Sequence, residues 1–201
     1  MNDTESLEDR PPLLEVTLRL HFDPNDMAQE RLAFIDQTLP HSESILIRAD
    51  RLELHSSQKV SFGRLRDQWS TLLPMILDTA GITTLNSVSL SYSNEIPLQD
   101  LRNFQTYLNI SFEMPPTLKD RIEFFRTEFT YRYEFGEIRV WLQPDWDDQI
   151  DGYCIQLNME SLNAGPVNIA DLIPILDEMH SGLKDVFRQI LSEGYVRSLP
   201  Q

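Results

Sequence analysis

A single cysteine in 201 residues, Cys154, excludes an internal disulfide and a thiolate metal cage. The seven glycines stand singly, so neither a phosphate-cradling loop nor a dinucleotide fingerprint is present. There is no Gly-x-Ser-x-Gly elbow to hold a nucleophile on a sharp turn. The histidines, His21, His41, His55 and His180, are too widely spaced in the chain to put two on one helical face, as zinc motifs do. No apolar run approaches the roughly 20 residues that span a bilayer. The opening MNDTESLEDRPP is acidic and polar, where a secretory signal is basic and then apolar. These absences set the expectation of a cytoplasmic chain without cofactor or metal, with a polar tail over residues 1–10 and one domain over 11–201.

Positive charge is also scarce. Seventeen Lys and Arg against 32 Asp and Glu leave a formal charge of −15. Residues 1–100 hold 16 acids and 8 bases and residues 101–201 hold 16 and 9, so the excess is distributed rather than carried by a tail. Phosphate backbones and anionic membranes are bound through Lys and Arg, which argues against nucleic acid and membrane as partners and for a more basic protein. Self-association is left open.

Periodicity then gives the fold class. Leu14, Val16, Leu18, Leu20 and Phe22 alternate with Glu15, Thr17, Arg19 and His21, which is the pattern of a half-buried strand. Asp26 is placed to cap a helix running to about Leu39. SILIRADRLELHSS reads as two short strands about a turn at Ala49-Asp50. Leu65, Trp69, Leu72, Leu73, Ile76 and Leu77 recur at helical spacing, with Pro74 as a kink and Gly81 as a stop. Val88, Leu90 and Tyr92 alternate with Ser87, Ser89, Ser91 and Ser93, a strand with one small polar face.

The second half reads as a meander. From Phe125 to Phe135 an aromatic parity alternates with a charged one, Arg126, Glu128, Arg132 and Glu134, and Gly136 is expected to end that strand. The charged parity reads as solvated cross-strand pairs or as a docking surface. Ile138, Val140 and Leu142, then Tyr153, Ile155, Leu157 and Met159, form two further strands. An amphipathic helix from about Ile169 to Leu191 closes the chain. The expected class is α+β: a mainly antiparallel sheet with helices packed on one face, the last of them long and C-terminal.

Between the last two strands lies QPDWDDQIDGY, with Asp145, Asp147, Asp148 and Asp151 around Trp146. A calcium-loop register begun at Asp145 fails, because Ile150 stands where glycine must turn the chain and Gln156 where a bidentate glutamate belongs. A solvated turn, a protein-contact loop and a non-standard metal site stay open. Asp145, Trp146, Asp147, Asp148 and Asp151 are the candidate partner-binding residues, Trp146 as an apolar anchor among charges. Cys154, in mid-strand, reads as a packing residue rather than a nucleophile.

RPPLLEVTLRLHF near the start, Trp69, VSLSYSNEIPL over residues 88–98 and a closing helix in which His180 precedes Phe187 resemble a sporadically distributed family of bacterial proteins without an assigned activity. The family's middle strand carries two basic positions; here Ser91 and Glu95 occupy them, while Tyr92, Asn94 and Ile96 keep the pattern. The resemblance implies one full-length domain and carries over no catalytic residue. Two functions follow as expectations. One is a non-enzymatic interaction module, an antidote, inhibitor or adaptor for a basic partner in a defence or toxin–antitoxin-like locus. The other is a metal-dependent hydrolase using the aspartates of residues 145–151.

Overall fold

Side-chain character that alternates with a period of two selects extended backbone, because it sends one parity to a core and the other to water. In the computed structural model this yields, among the described residues, nine strands: β1 (Leu13–His21), β2 (Ile45–Ile47), β3 (Arg51–Ser56), β4 (Thr84–Leu85), β5 (Ser87–Pro97), β6 (Thr127–Tyr133), β7 (Gly136–Asp147), β8 (Gly152–Asn163) and β9 (Val167–Asn168). The structure describes residues 13–23, 30, 45–56, 61–98, 106–110, 126–147, 152–193 and 195. The helix expected from Asp26 to Leu39 lies outside them, apart from Glu30, which is helical and exposed. Seven strands form one sheet in the order β2-β3-β1-β5-β8-β7-β6, with every neighbouring pair antiparallel. β4 and β9 make a separate two-stranded ladder.

Register assigns the faces. Val16, Leu18 and Leu20 of β1 stand opposite Tyr92, Leu90 and Val88 of β5. Tyr92, Asn94 and Ile96 in turn stand opposite Met159, Leu157 and Ile155 of β8. Ile138, Val140 and Leu142 of β7 extend the same face. All these residues are buried.

Two helices cover that face. α1 (Phe62–Ala80) starts at Ser61, whose hydroxyl accepts the Arg64 N–H, and stops at Gly81, left-handed at φ 74°. Only glycine adopts that backbone without steric cost, and its N–H satisfies the last carbonyls. The helix runs on through Pro74. A 3-10 turn (Ile169–Asp171) leads into α2 (Leu172–Ile190). Leu172, Leu176, Met179, Leu183, Val186, Phe187 and Ile190 form its buried stripe, with Ile175 half-buried beside them. At Gly182 the helix approaches the sheet so closely that a Cβ would lie 2.9 Å from Ile138 Cδ1.

One hairpin departs from the expected pattern. Gly136 begins β7 instead of ending the previous strand, and Glu134 and Phe135 form the turn. Its φ of 145° and a Cβ position 2.1 Å from the Leu162 carbonyl oxygen demand glycine. The chain therefore reverses beside a ladder that leaves no room for a side chain. Among the described residues no helix is long and apolar enough to cross a membrane.

His180 ties the layers together. Its ring stacks on Phe62 of α1 at 3.9 Å between centroids, and its Nδ1 shares a 2.5 Å hydrogen bond with the Tyr92 hydroxyl of β5. Burial, reinforced by the Lys184 charge and opposed by Asp177, pushes its pKa down to about 4. The imidazole is thus folded neutral, and the unfolded state binds more protons wherever pH lies between that value and the ordinary 6.5. Stability should be fully present above pH 6.5 and fall as pH drops toward 4, by on the order of 2–3 kcal/mol. Urea titrations at pH 7 and pH 4.5 would measure the loss, and His180→Gln should flatten it. Trp69 and Phe187, 4% and 6% exposed, each close the core from a different helix. Trp69→Ala or Phe187→Ala should cost about 3–5 kcal/mol in the same assay, and normal stability in either would contradict the helix registers.

Candidate functional site

The face turned away from the helices is polar, and the register lays it out in rows. One row joins Glu53, Arg19, Ser89 and Leu162; the next joins His55, Thr17, Ser91, Glu160 and Arg139. A third joins Glu15, Ser93, Asn158 and Trp141. Toward the β7–β8 hairpin end come Glu95, Gln156 and Gln143, then Pro97, Cys154 and Asp145. The serines of β5 make a shallow trough down the middle. Arg19 and Glu160 flank it and meet at 3.6 Å across β5, and Ser89 is only 3% exposed.

Charges at the two ends are handled differently. At the β3 end Glu53 accepts from Arg51 at 2.6 Å and from Arg19 at 3.4 Å, with His55 Nε2 also 3.4 Å away. Burial raises the Glu53 pKa, but the Arg51 and Arg19 guanidiniums outweigh it and hold the carboxyl below its ordinary range. At the hairpin end lie Glu95, Gln156 and Gln143, then Pro97, Cys154 and Asp145. There Asp145, exposed, accepts from Gln156 Nε2 at 2.6 Å, and Gln156 accepts from Gln143 at 3.0 Å.

The aspartate segment is more strand than loop. The β7–β8 ladder continues through Asp145↔Cys154, Trp146↔Tyr153 and Asp147↔Gly152, leaving residues 148–151 to join the strands. A loop from Asp145 onward was the expectation; a sheet with one polar face accommodates charge on the outward parity, so Asp145 does not interrupt the strand. Of the candidate residues, the ladder brings Asp145, Trp146 and Asp147 to one hairpin end by their backbones. Asp148 and Asp151 lie outside the described residues.

Tyr153 is the addition. It opposes Trp146 and is 40% exposed, one of two large hydrophobic side chains so exposed among the described residues; the other is Met75 on α1. In the sequence it reads as the first member of the inward-facing run with Ile155 and Leu157. The signal that separates it is its place next to the Asp151-Gly152 turn, at the frayed end of a ladder. Cys154 is buried at 2%.

The polar face also gathers a hydroxyl, an imidazole and carboxylates, the group types of a nucleophilic triad. Thr17 Oγ1 lies 3.1 Å from His55 Nδ1 and donates to Glu15 Oε1 at 3.3 Å, and that oxygen lies 3.2 Å from the same Nδ1. Thr17 is 5% exposed and hemmed in by these partners, so a substrate carbonyl cannot reach it. The cluster ties β1 to β3. His21 stands opposite Arg51 and His55 opposite Thr17, so the two histidines share a face without meeting. Among the described residues no group of three or more His, Cys, Asp or Glu is arranged to hold a metal ion.

No family model matches the chain, and no curated protein or solved structure matches it either. The resemblance noted in the sequence gains no support from these comparisons.

Glu53 is the hub of the β3 end, so its replacement removes the carboxylate that Arg51 and Arg19 share and leaves Arg19 with Glu160. Glu53→Gln should cost about 1–3 kcal/mol at pH 7. Because the folded pKa is lowered, that contribution is present above the unfolded value of 4.5 and is lost as pH falls below it. Denaturation midpoints of variant and parent should therefore converge as pH falls below 4.5 and through the lowered folded value.

Proposed function

We propose that the chain is a non-enzymatic protein-binding module, an antidote, inhibitor or adaptor that covers a more basic partner with the end of the β7–β8 hairpin. The observation carrying this reading is that this hairpin end presents an exposed aromatic, Tyr153, on one face of the ladder and an exposed carboxylate, Asp145, on the other. Exposed aromatics are favoured interface anchors, and surface carboxylates steer encounter with an oppositely charged surface. The ladder beneath supports both, since a strand holds a side chain in place better than a long loop.

The distributed charge of −15 adds long-range attraction. Association with the protein encoded by the adjacent gene, followed by stopped flow, should slow steeply with salt while dissociation changes little. Replacing Asp145, Asp147, Asp148 and Asp151 together by Asn should leave folding intact and lower the association rate about tenfold or more. Tyr153→Ala and Trp146→Ala should each raise the dissociation rate. Unchanged rates in all three variants would overturn the reading. A thermal midpoint that falls with chelator and recovers with calcium or magnesium would favour the metal reading of the same aspartates.

A further inference from the structure

β6 is the last strand of the sheet, and among the described residues no strand pairs with its outer edge. The other edge, β2, is three residues long; β6 has seven, with no proline and a register to β7 free of bulges. An edge of that length, with neither proline nor bulge among the described residues, is a template for another strand whose charges complement its own. The backbone direction follows from the hairpin. Tyr133 pairs with Gly136 around a two-residue turn, and the closing pair of such a turn points its N–H and C=O groups inward. By alternation Phe129 and Tyr131 also bond toward β7, whereas Glu128, Thr130 and Arg132 direct their backbone groups outward.

Those outward-bonding residues carry an alternating charge pattern. Arg126, Glu128, Thr130, Arg132 and Glu134 are all exposed, and none of the four charged ones has an ion-pair partner among the described residues. On the neighbouring strand Arg139 is satisfied by Glu137. A strand that pairs with its own copy does so about a two-fold axis, and the axis position decides which charges meet. Centred on Thr130, an antiparallel pair sets Glu128 against Arg132 twice and brings Arg126 to Glu134 at the two ends. Moving the axis to Phe129 sets Arg126 against Arg132, and moving it to Tyr131 sets Glu128 against Glu134. Centring on Glu128 or on Arg132 sets that residue against itself. Thr130 is the one axis position in the strand's middle that opposes no like charges.

We infer that β6 is a self-association edge, at which two copies of this chain pair antiparallel about Thr130 and join their sheets into one of fourteen strands. The same register places the half-buried Phe129 of each copy opposite Tyr131 of the other, an aromatic cross-strand pair on the helix-side face. Each copy brings −15, so long-range repulsion opposes the contact and makes a register without like-charge pairs necessary. The interface is narrow and its affinity belongs in the micromolar range.

Sedimentation equilibrium of the full chain from about 1 µM to about 500 µM, a range that brackets such an affinity, tests the edge. The wild type should pass from the 23.4 kDa monomer to a dimer over that range. Glu128→Arg and Arg132→Glu should each weaken dimerisation at least tenfold, because each creates two like-charge pairs. The double variant Glu128→Arg with Arg132→Glu restores opposite charges at both places and should recover most of the wild-type affinity. Thr130→Pro removes an outward N–H that β7 does not use and should leave a folded monomer by circular dichroism. A wild type monomeric at every concentration, single variants that dimerise as well as the parent, or a double variant as weak as the singles would each overturn the inference.

Discussion

Everything else in the structure is placed by the register of β5 between β1 and β8. Val88, Leu90, Tyr92 and Ile96 share one parity, and the pairing carries that parity across to Leu20, Leu18 and Val16 on one side and to Ile155 and Met159 on the other. A slip of one residue would exchange the serines for the core residues on every strand paired to it. Burying a leucine-sized side chain is worth about 1.5–3 kcal/mol. The dozen or so inward residues of three central strands therefore set a penalty for misregister that no polar contact on the outer face can offset. The helices read this register through Tyr92, whose hydroxyl reaches His180 of α2, which in turn stacks on Phe62 of α1. The bidentate Arg66–Asp177 pair, at 2.6 and 2.8 Å, is a half-exposed addition to that contact.

The outer face inherits its organisation from the same constraint. Because the inward parity is apolar, every charge on β1, β3, β5, β7 and β8 is forced onto one surface, and its neighbours there are fixed by pairing. Arg19 lands between Glu53 and Glu160; Asp145 lands beside Gln156. The ion-paired Glu53 at one end and the Gln156-bonded Asp145 at the other are thus consequences of strand register. A hydrogen bond from Gln156 orients the Asp145 carboxylate.

The α+β class was legible because period-two and period-3.6 patterns survive in the sequence wherever one face is buried. Both helices and their stripes follow from it, down to Leu176 and Met179. Strand order was not legible: periodicity reports which face is buried but says nothing about which strand lies alongside, so β5 and β8 as neighbours, and His55 opposite Thr17 rather than beside His21, emerge only from pairing. The hairpin signals misled in two places for one reason. Gly136 and Asp145 are turn-favouring residue types whose roles here depend on a third strand: Gly136 is required by the Leu162 carbonyl, and Asp145 is tolerated by the polar face. The site was half legible. Clustered aspartates are visible in any reading, while Tyr153 is hidden in an apolar alternation that the ladder's end exposes.

We propose that the β7–β8 hairpin end, which carries the exposed Asp145 on one face and the exposed Tyr153 on the other, is the surface that meets a partner. Amide hydrogen exchange across the chain, free and in complex with the bound protein, tests it most directly, since it maps contact without altering a residue. Exchange in residues 143–147 and 152–156 should slow in the complex while the ion-paired β3 end is unchanged. Protection confined to β3 and the start of β1, with none at the hairpin end, would contradict it.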